Sequence, residues 1–252
     1  MYVLFAAITG LILGSFYSVC VSRYGTEASI FYPVRSQCPN CKVPLGISEN
    51  IPLVSFLIQK GHCKHCHTKI SLFYPSLELI SMVWSILAIS GASSYAEWLL
   101  LLLIGGICIV ASAIDLRTFI LPDVLTYSGA IIVLAASYTG ILHVDFRQAL
   151  LGGSIGAFSM WAIAALYKLI RKRDGLGLGD VKFMLMLGAM TGIHQLSTFI
   201  LIASICALLF TLITTKGSSN ISTRYIPFGP FLAVGAGITY LYGEQITFFL
   251  RH

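Results

Sequence analysis

The chain has 252 residues, 57% of them hydrophobic and only 10% charged, and its mean hydropathy is +0.86. Soluble domains carry about 25% charged residues, and a water-facing surface cannot be covered with so few. An ordinary soluble enzyme is therefore excluded and the chain belongs in lipid. The formal charge of +6 has to be read from where the basic residues fall, not from their number.

A bilayer-crossing helix needs about 20 mostly apolar residues. In chain order the apolar runs are Tyr2–Cys20, Pro75–Ser90, Glu97–Ile114, Val124–Leu142, Ala149–Ile170, Leu178–Ile193, Leu196–Thr214 and Phe228–Tyr242, eight in all. They predict an all-α integral membrane protein. The first run lacks a basic n-region and a small-x-small cleavage pattern, so it reads as a retained span and not a removed signal. The sixth is too short to cross from Val181 onward, so the Gly-rich stretch before it has to add length or enter the membrane.

Basic residues orient these spans. Arg23, Arg35, Lys42, Lys60, Lys64 and Lys69 lie between the first and second; Arg117 follows the third. Lys168, Arg171, Lys172, Arg173 and Lys182 flank the fifth-to-sixth connection, and Lys216 and Arg224 follow the seventh. These alternate loops hold 14 of the 16 basic residues, leaving Arg147 and Arg251 on the other side. The positive-inside rule puts the loops in the cytoplasm and both termini outside. Topology and membrane lipid account for the basic excess, and no nucleic-acid partner is expected.

One polar segment, Ser22 to Tyr74, is large enough to be a small domain, and the chain shows no internal repeat. It holds Cys38-Pro-Asn-Cys41 and Cys63-Lys-His-Cys66, with 21 residues between the pairs. Two CxxC knuckles can wrap four thiolates around Zn²⁺ tetrahedrally. The rival readings are disulfides, which a reducing cytoplasm disfavours, and a redox site, for which no thioredoxin-like βαβ pattern is present. Four thiols complete a closed site with no open position for water, so the zinc is expected to be structural. His62, His65 and His67 stand nearby as substitutes. Cys20, Cys108 and Cys206 sit singly in apolar spans and read as core.

Two of the ten acidic residues fall at cytoplasmic ends of spans. Asp115 ends the third, and Asp180 closes Gly175-Leu-Gly177-Leu-Gly179-Asp180-Val-Lys182. Carboxylates at membrane depth are costly and point to function. Lying at one depth, the two can share a proton and hydrolyse a peptide, one taking a proton from water while the other gives one to the carbonyl oxygen. The glycines allow helices or an extended substrate to approach closely. A dinucleotide loop is the competing reading of the glycines, but no strand precedes them. A helix-end cap or a Lys or Arg partner is the bland reading of each Asp, and Asp123, after Pro122, reads as a cap.

Together these residues resemble the bifunctional prepilin peptidases, or type IV leader peptidases. The resemblance runs through Gly14-Ser15-Phe16, Arg35-Ser36-Gln37-Cys38-Pro39, Glu49-Asn50-Ile51-Pro52-Leu53-Val54-Ser55, Gly61-His62-Cys63 and Tyr74-Pro75-Ser76-Leu77-Glu78. It continues through Asp115 to Asp123, the GxGD motif Gly177–Asp180 with Lys182, and Pro227-Phe228-Gly229-Pro230. GxGD is shared with presenilin-like and archaeal preflagellin peptidases, and the tetracysteine loop separates this family from both. The resemblance implies that Asp115 and Asp180 are the catalytic pair, supported by Gly177, Gly179 and Lys182. It implies cleavage of prepilin or pseudopilin precursors after a glycine, then methylation of the new N-terminus with S-adenosylmethionine. Gly61 and Glu78 match positions linked to the second activity. The chain departs from the family pattern at Ile47, where many members have Trp, and at Phe73, in place of the Arg of an Arg-Tyr-Pro motif.

The expected organisation is therefore a first span over 1–21, a cytoplasmic zinc-binding loop linked to methylation over 22–74, and a transmembrane aspartic peptidase core over 75–252. The localisation expected is the bacterial inner membrane, with the active site facing the cytoplasm. A proton-coupled transporter is a rival, but it calls for carboxylates near the midplane and inverted repeats. A non-catalytic zinc-bearing assembly factor is a third. The helix ends suggest a division of labour, Asp180 at an N-terminal end as the resting base and Asp115 at a C-terminal end as the acid.

Overall fold

The computed structural model describes residues 1–26, 35–172, 175, 177–214 and 226–251. Among these lie nine α-helices: α1 (Tyr2–Arg23), α2 (Val54–Ile58), α3 (Phe73–Gly91), α4 (Tyr95–Thr118), α5 (Asp123–Tyr138), α6 (Phe146–Arg171), α7 (Leu178–Thr191), α8 (Leu196–Thr214) and α9 (Gly229–Arg251). Among the described residues the only β-pairing is two isolated bridges, Gln37 with Pro44 and His62 with Lys69. Three of the basic residues that orient the chain, Arg173, Lys216 and Arg224, lie outside the described residues.

Each apolar run coincides with a helix, and among the described residues helix length and apolarity together support five crossings. The five are α1, α3, α4, α6, and α8 taken with the turn before it. At 1.5 Å per residue, α5 rises about 24 Å and α7 about 21 Å, short of a hydrocarbon core about 30 Å thick. The short α2, inside the polar segment, has no counterpart among the apolar runs.

Two units divide the chain, Met1–Val110 and Ala111–His252. The first is organised by α1 against α3. Ala6, Gly10, Gly14, Ser18 and Val21 form the buried stripe of α1, and Leu77, Glu78, Ser81, Ser85 and Ala88 form that of α3. Small residues at four-residue spacing let the two backbones approach. A Cβ on Gly14 would stand 2.6 Å from the Cα of Glu78, and one on Gly10 would stand 2.6 Å from the Ser81 carbonyl oxygen. Ser85 donates to the Ala6 carbonyl oxygen at 2.7 Å across the same seam.

The second unit is centred on α7. Phe183, Met184, Met186, Leu187, Gly188, Ala189, Met190 and Thr191 are all buried. An apolar helix with no polar face is a core helix, which explains how 14 residues suffice: α7 is walled by protein, through contacts with α5, α6 and α9. Gly153 of α6 and Gly188 of α7 let the two backbones approach, since a Cβ on Gly153 would meet the Leu185 carbonyl oxygen at 2.6 Å and one on Gly188 the Gly152 carbonyl oxygen at 2.6 Å.

Candidate metal centre and carboxylate site

In the first unit, each CxxC is closed by the same local backbone. In the first knuckle Lys42 N–H donates to the Cys38 carbonyl oxygen at 2.9 Å, and Cys38 N–H to that of Val43 at 3.1 Å. In the second, His67 N–H donates to Cys63 and Cys63 N–H to Thr68, both at 2.9 Å. The residue after each second cysteine is left-handed, Lys42 at φ 57° and His67 at φ 56°. The chain therefore reverses twice in the same way, although the two segments share little beyond CxxC.

These reversals gather Cys38, Cys41, Cys63 and Cys66 so that all four sulfurs lie within 4.8 Å of one another. Cys38 and Cys63 are buried, and Cys41 and Cys66 partly exposed; all seven cysteines of the chain are free thiols. The cluster can hold a metal ion. The Thr68 hydroxyl lies 3.3 Å from the Cys66 sulfur, and Asn40 Nδ2 donates to that sulfur at 3.7 Å. Hydrogen bonds from Thr68, side chain and backbone, and then from Asn40, hold the Cys66 thiol down to about 5. The Val43 N–H favours the Cys41 thiolate, but the other sulfurs of the cluster help outweigh it and push that thiol to about 11. Two of the three neighbouring histidines are engaged elsewhere. His62 Nδ1 lies 2.8 Å from the Lys60 carbonyl oxygen, and His65 lies 3.2 Å from Glu49.

Gly61 and Glu78, which the family resemblance ties to methylation, also fall in this unit. Gly61 ends the turn after α2 at φ +72°, and a Cβ there would press on Phe56 at 3.2 Å. Glu78 is buried in the second turn of α3, where Leu53 N–H donates to its Oε2 at 2.8 Å.

In the second unit, α4 ends where Phe119 turns left-handed at φ 55°, its N–H donating to the Asp115 carbonyl oxygen at 2.9 Å. A non-glycine residue pays an energetic cost in that region. The turn sends Phe119 and Ile120 outward and tucks Leu121 inward, where it is buried. Leu121 is the wedge of the site. A Cβ on Gly179 would lie 3.0 Å from the Leu121 Cβ, and one on Gly229 would lie 3.3 Å from the Leu121 Cδ2. One leucine thus fills the space left by a glycine from each of two helix starts.

Asp115 is buried, and its Oδ2 accepts a hydrogen bond from Gly229 N–H at 3.1 Å, at the first residue of α9. A Cβ at 229 would stand 2.8 Å from that same oxygen. Asp180, half-buried in the first turn of α7, is near enough to Asp115 for their charges to interact. Gly177 is the N-cap residue of α7. Lys182 does not join the carboxylates: its Nζ donates to both oxygens of Asp123, at 2.7 and 2.8 Å, over the ring of Tyr127. Asp123 accordingly makes no side-chain cap on α5; it is an ion-pair partner. Asp115 also receives an N–H from a helix start, so helix ends alone no longer rank the two carboxylates. Gly229 and Leu121 are the residues that sequence reasoning passed over. The Pro227-Phe228-Gly229-Pro230 motif signalled the first, and nothing local signalled the second.

The molecule is thus a multi-pass helical membrane protein with a four-thiol loop in one unit and paired helix-end carboxylates in the other. Residues 8–91 match the family model described as the bacterial peptidase A24 N-terminal domain, and residues 100–212 that of the type IV leader peptidase family. The chain belongs to the type IV leader peptidase family. A Burkholderia pseudomallei (strain K96243) protein named prepilin leader peptidase/N-methyltransferase is 33% identical, covering 96% of this chain and 86% of that one. A Pseudomonas aeruginosa protein of the same name is 33% identical, covering 98% and 92%. An Escherichia coli O78:H11 protein named type 4 prepilin-like proteins leader peptide-processing enzyme is 32% identical, covering 96% and 94%. No solved structure matches the chain.

Proposed function

We propose that this protein is a prepilin leader peptidase of the bacterial inner membrane that cuts short basic leaders from pilin-like precursors and then N-methylates the new amino terminus. Family membership and relatives matched over most of their length support the reading. The observation that carries the chemistry is Asp115 and Asp180 within charge range in one unit, in a chain otherwise poor in acidic residues. We divide the labour as a first span over 1–21, a zinc-binding, methylation-linked loop over 22–74, and a peptidase core within 75–252. Eight crossings, with α5, α7 and α9 completing the five longer apolar spans, place both termini outside and the basic loops and carboxylates at the cytoplasmic face. The distribution of Lys and Arg supports that orientation.

Repulsion between two close carboxylates favours one shared proton. The ionised partner takes a proton from water as the oxygen attacks the scissile carbonyl carbon, and the protonated partner gives its proton to the carbonyl oxygen. Collapse then breaks the C–N bond, and the leaving amine takes a proton. The Gly229 N–H holds Asp115 at one oxygen, leaving the other for this chemistry. Gly177 and Gly179, without side chains, leave backbone room beside Asp180 for an unwound substrate, because a helical peptide hides its carbonyls in its own hydrogen bonds. Lys182 acts through its pairing with Asp123, fixing the first turn of α7 against α5.

The thiol cluster fits zinc. With Zn–S bonds of about 2.3 Å, a tetrahedral site has sulfurs about 3.8 Å apart, and Cys38 and Cys66 stand 3.8 Å apart. Such a closed site contributes folding energy to the loop and offers no position for hydrolytic water. The decisive experiment incubates the purified full-length protein with candidate precursors, with and without S-adenosylmethionine, and reads product masses. Loss of the leader in both arms, with the mass of one methyl group gained only with the donor, is the expected result. Intact precursor in both arms overturns the proposal.

A further inference from the structure

Only Phe119, Ile120, Leu121 and Pro122 join α4 to α5 in the second unit, and this short link is fixed at both ends. Its first residue is tied to the acid: Phe119 N–H donates to the Asp115 carbonyl oxygen at 2.9 Å, with Phe119 left-handed at φ 55°. A residue other than glycine holds that conformation only where its surroundings enforce it. Its last residue is tied to α5. The Pro122 carbonyl oxygen accepts from Leu125 N–H at 3.1 Å and from Thr126 N–H at 3.2 Å, and Thr126 is fully buried. One helical turn on, Gly129 lies so close to Met186 of α7 that no Cβ would fit. Leu121, between these fixed points, cannot slide.

Leu121 is 6% exposed, whereas Phe119 and Ile120 are 58% and 57% exposed, so the link sends one apolar side chain inward. The Leu121 Cβ lies against Gly179, the residue before Asp180, and its Cδ2 lies against Gly229, whose N–H holds Asp115 Oδ2 at 3.1 Å. One side chain thus bears on the backbone beside one carboxylate and on the donor that holds the other. Interiors pack as densely as organic crystals, so a buried leucine cannot shrink or shift without moving its neighbours. Leu121 is placed to keep the start of α7 and the start of α9 apart. The neighbouring helix ends carry other ionisable groups: Lys182 and Asp123, paired with each other over Tyr127, Arg117 on α4, and Tyr167, Lys168 and Arg171 on α6. Arg117 and Lys168 have interactions of their own. Leu121 is uncharged, so replacing it by another apolar residue alters none of these charges.

We propose that Leu121 is a positioning residue of the peptidase, the spacer that sets the distance between the Asp115 and Asp180 carboxylates and with it how firmly they share one proton. The inference rests on the cleavage half of the function proposed above. Repulsion between two charges falls with distance. Spacing therefore decides how far apart in pH the pair takes up its first and second protons, and both values belong to the pair and not to either residue. Cleavage by a shared proton needs the singly protonated pair. Carboxylates held closer keep that state over a wider range of pH, and carboxylates held further apart keep it over a narrower one. A leucine that only filled the core would behave differently. Shortening it would leave a cavity, enlarging it would strain the packing, and both would lower stability without opposite effects on the active pH range.

The test measures kcat and KM for a precursor across pH at constant ionic strength, on the full-length protein in detergent, with a melting temperature for each variant. Leu121→Ala lets the starts of α7 and α9 close. It should lower kcat by about tenfold or more and leave KM within about twofold, the signature of lost positioning and not of lost binding. It should also broaden the bell-shaped profile of kcat/KM against pH by about half a pH unit. Leu121→Phe forces the helix starts apart and should narrow the bell. Leu121→Val, a smaller change, should fall between the wild type and Leu121→Ala, and these two decide the matter if Leu121→Phe does not fold. Val133→Ala, at a fully buried position in the middle of α5, is the control for lost stability alone and should lower the melting temperature with the bell unchanged. If Leu121→Ala and Leu121→Val keep the wild-type bell, or if Leu121→Ala and Leu121→Phe change its width in the same direction, Leu121 only fills the core. The inference then fails while the cleavage reading stands. If the wild type leaves the precursor intact, the cleavage reading fails and the inference with it.

Discussion

The thiol cluster and the carboxylate site are assembled in opposite ways. The cluster closes over 28 residues, from Cys38 to Cys66, by two local turns whose hydrogen bonds run between near neighbours. The carboxylate site joins residues 114 positions apart, Asp115 and Gly229, through packing of helix ends that share no local contacts. The first is a device of spacing and turn geometry that can hold a metal ion. The second depends on small residues that let α7 and α9 close on Leu121. A locally closed site should tolerate distant change and fail when its ligands fail; a site built from distant helix ends should be sensitive to single methyl groups.

The largest expected effect breaks the carboxylate site outright. Asp115→Asn and Asp180→Asn should each lower cleavage by about 10³-fold, within the range attributed to general acid–base groups, with helicity and zinc content unchanged. Mass spectrometry of a precursor incubated with each variant checks this, and near-wild-type turnover in either would refute the shared-proton mechanism.

Breaking the cluster should leave the other site largely working. Metal analysis should find about one zinc per chain, and replacing all four cysteines by serine should unfold the loop, because structural zinc contributes on the order of 10 kcal/mol of folding free energy in small domains. Methyl transfer should be lost while cleavage keeps most of its rate, and limited proteolysis should cut within residues 35–72. Acid acts in the same direction. The Cys66 thiol, depressed to about 5, adds stability that is full above its ordinary range near 9 and is lost as pH falls through about 5. Zinc affinity should therefore decline as pH falls and be weakest below that point, readable by titration with a chromophoric chelator.

A single methyl group tests the packing argument. Gly229→Ala would put a Cβ 2.8 Å from Asp115 Oδ2 and displace the carboxylate from its N–H donor. A displacement of this order should cost roughly tenfold to a hundredfold in kcat, with KM for the precursor little changed. Equal turnover would show that the Gly229 contact does not position Asp115. The smallest effect belongs to the Lys182 pair: Asp123→Asn removes one partner of a partly exposed ion pair worth about 0–1 kcal/mol. Cleavage should stay within about fivefold of the wild type, and a Lys182→Asp, Asp123→Lys double variant should recover part of any loss.

The sequence by itself determined what depends on composition, spacing and local geometry. Low charge and long apolar runs meant membrane helices, CxxC pairs 21 residues apart meant four converging thiols, and two acidic residues at the ends of apolar runs marked the site worth inspecting. Those signals are legible because burial, turn formation and the cost of charge in lipid act on short stretches of chain. Tertiary structure alone decided that Lys182 reaches Asp123 and not the carboxylate pair, that Gly229 N–H holds Asp115, and that Leu53 N–H holds Glu78. It also decided that α7 can be short because protein surrounds it. Each of these is a contact between residues far apart in sequence, set by how closely glycine-lined helices can pack, and no window along the chain contains both partners.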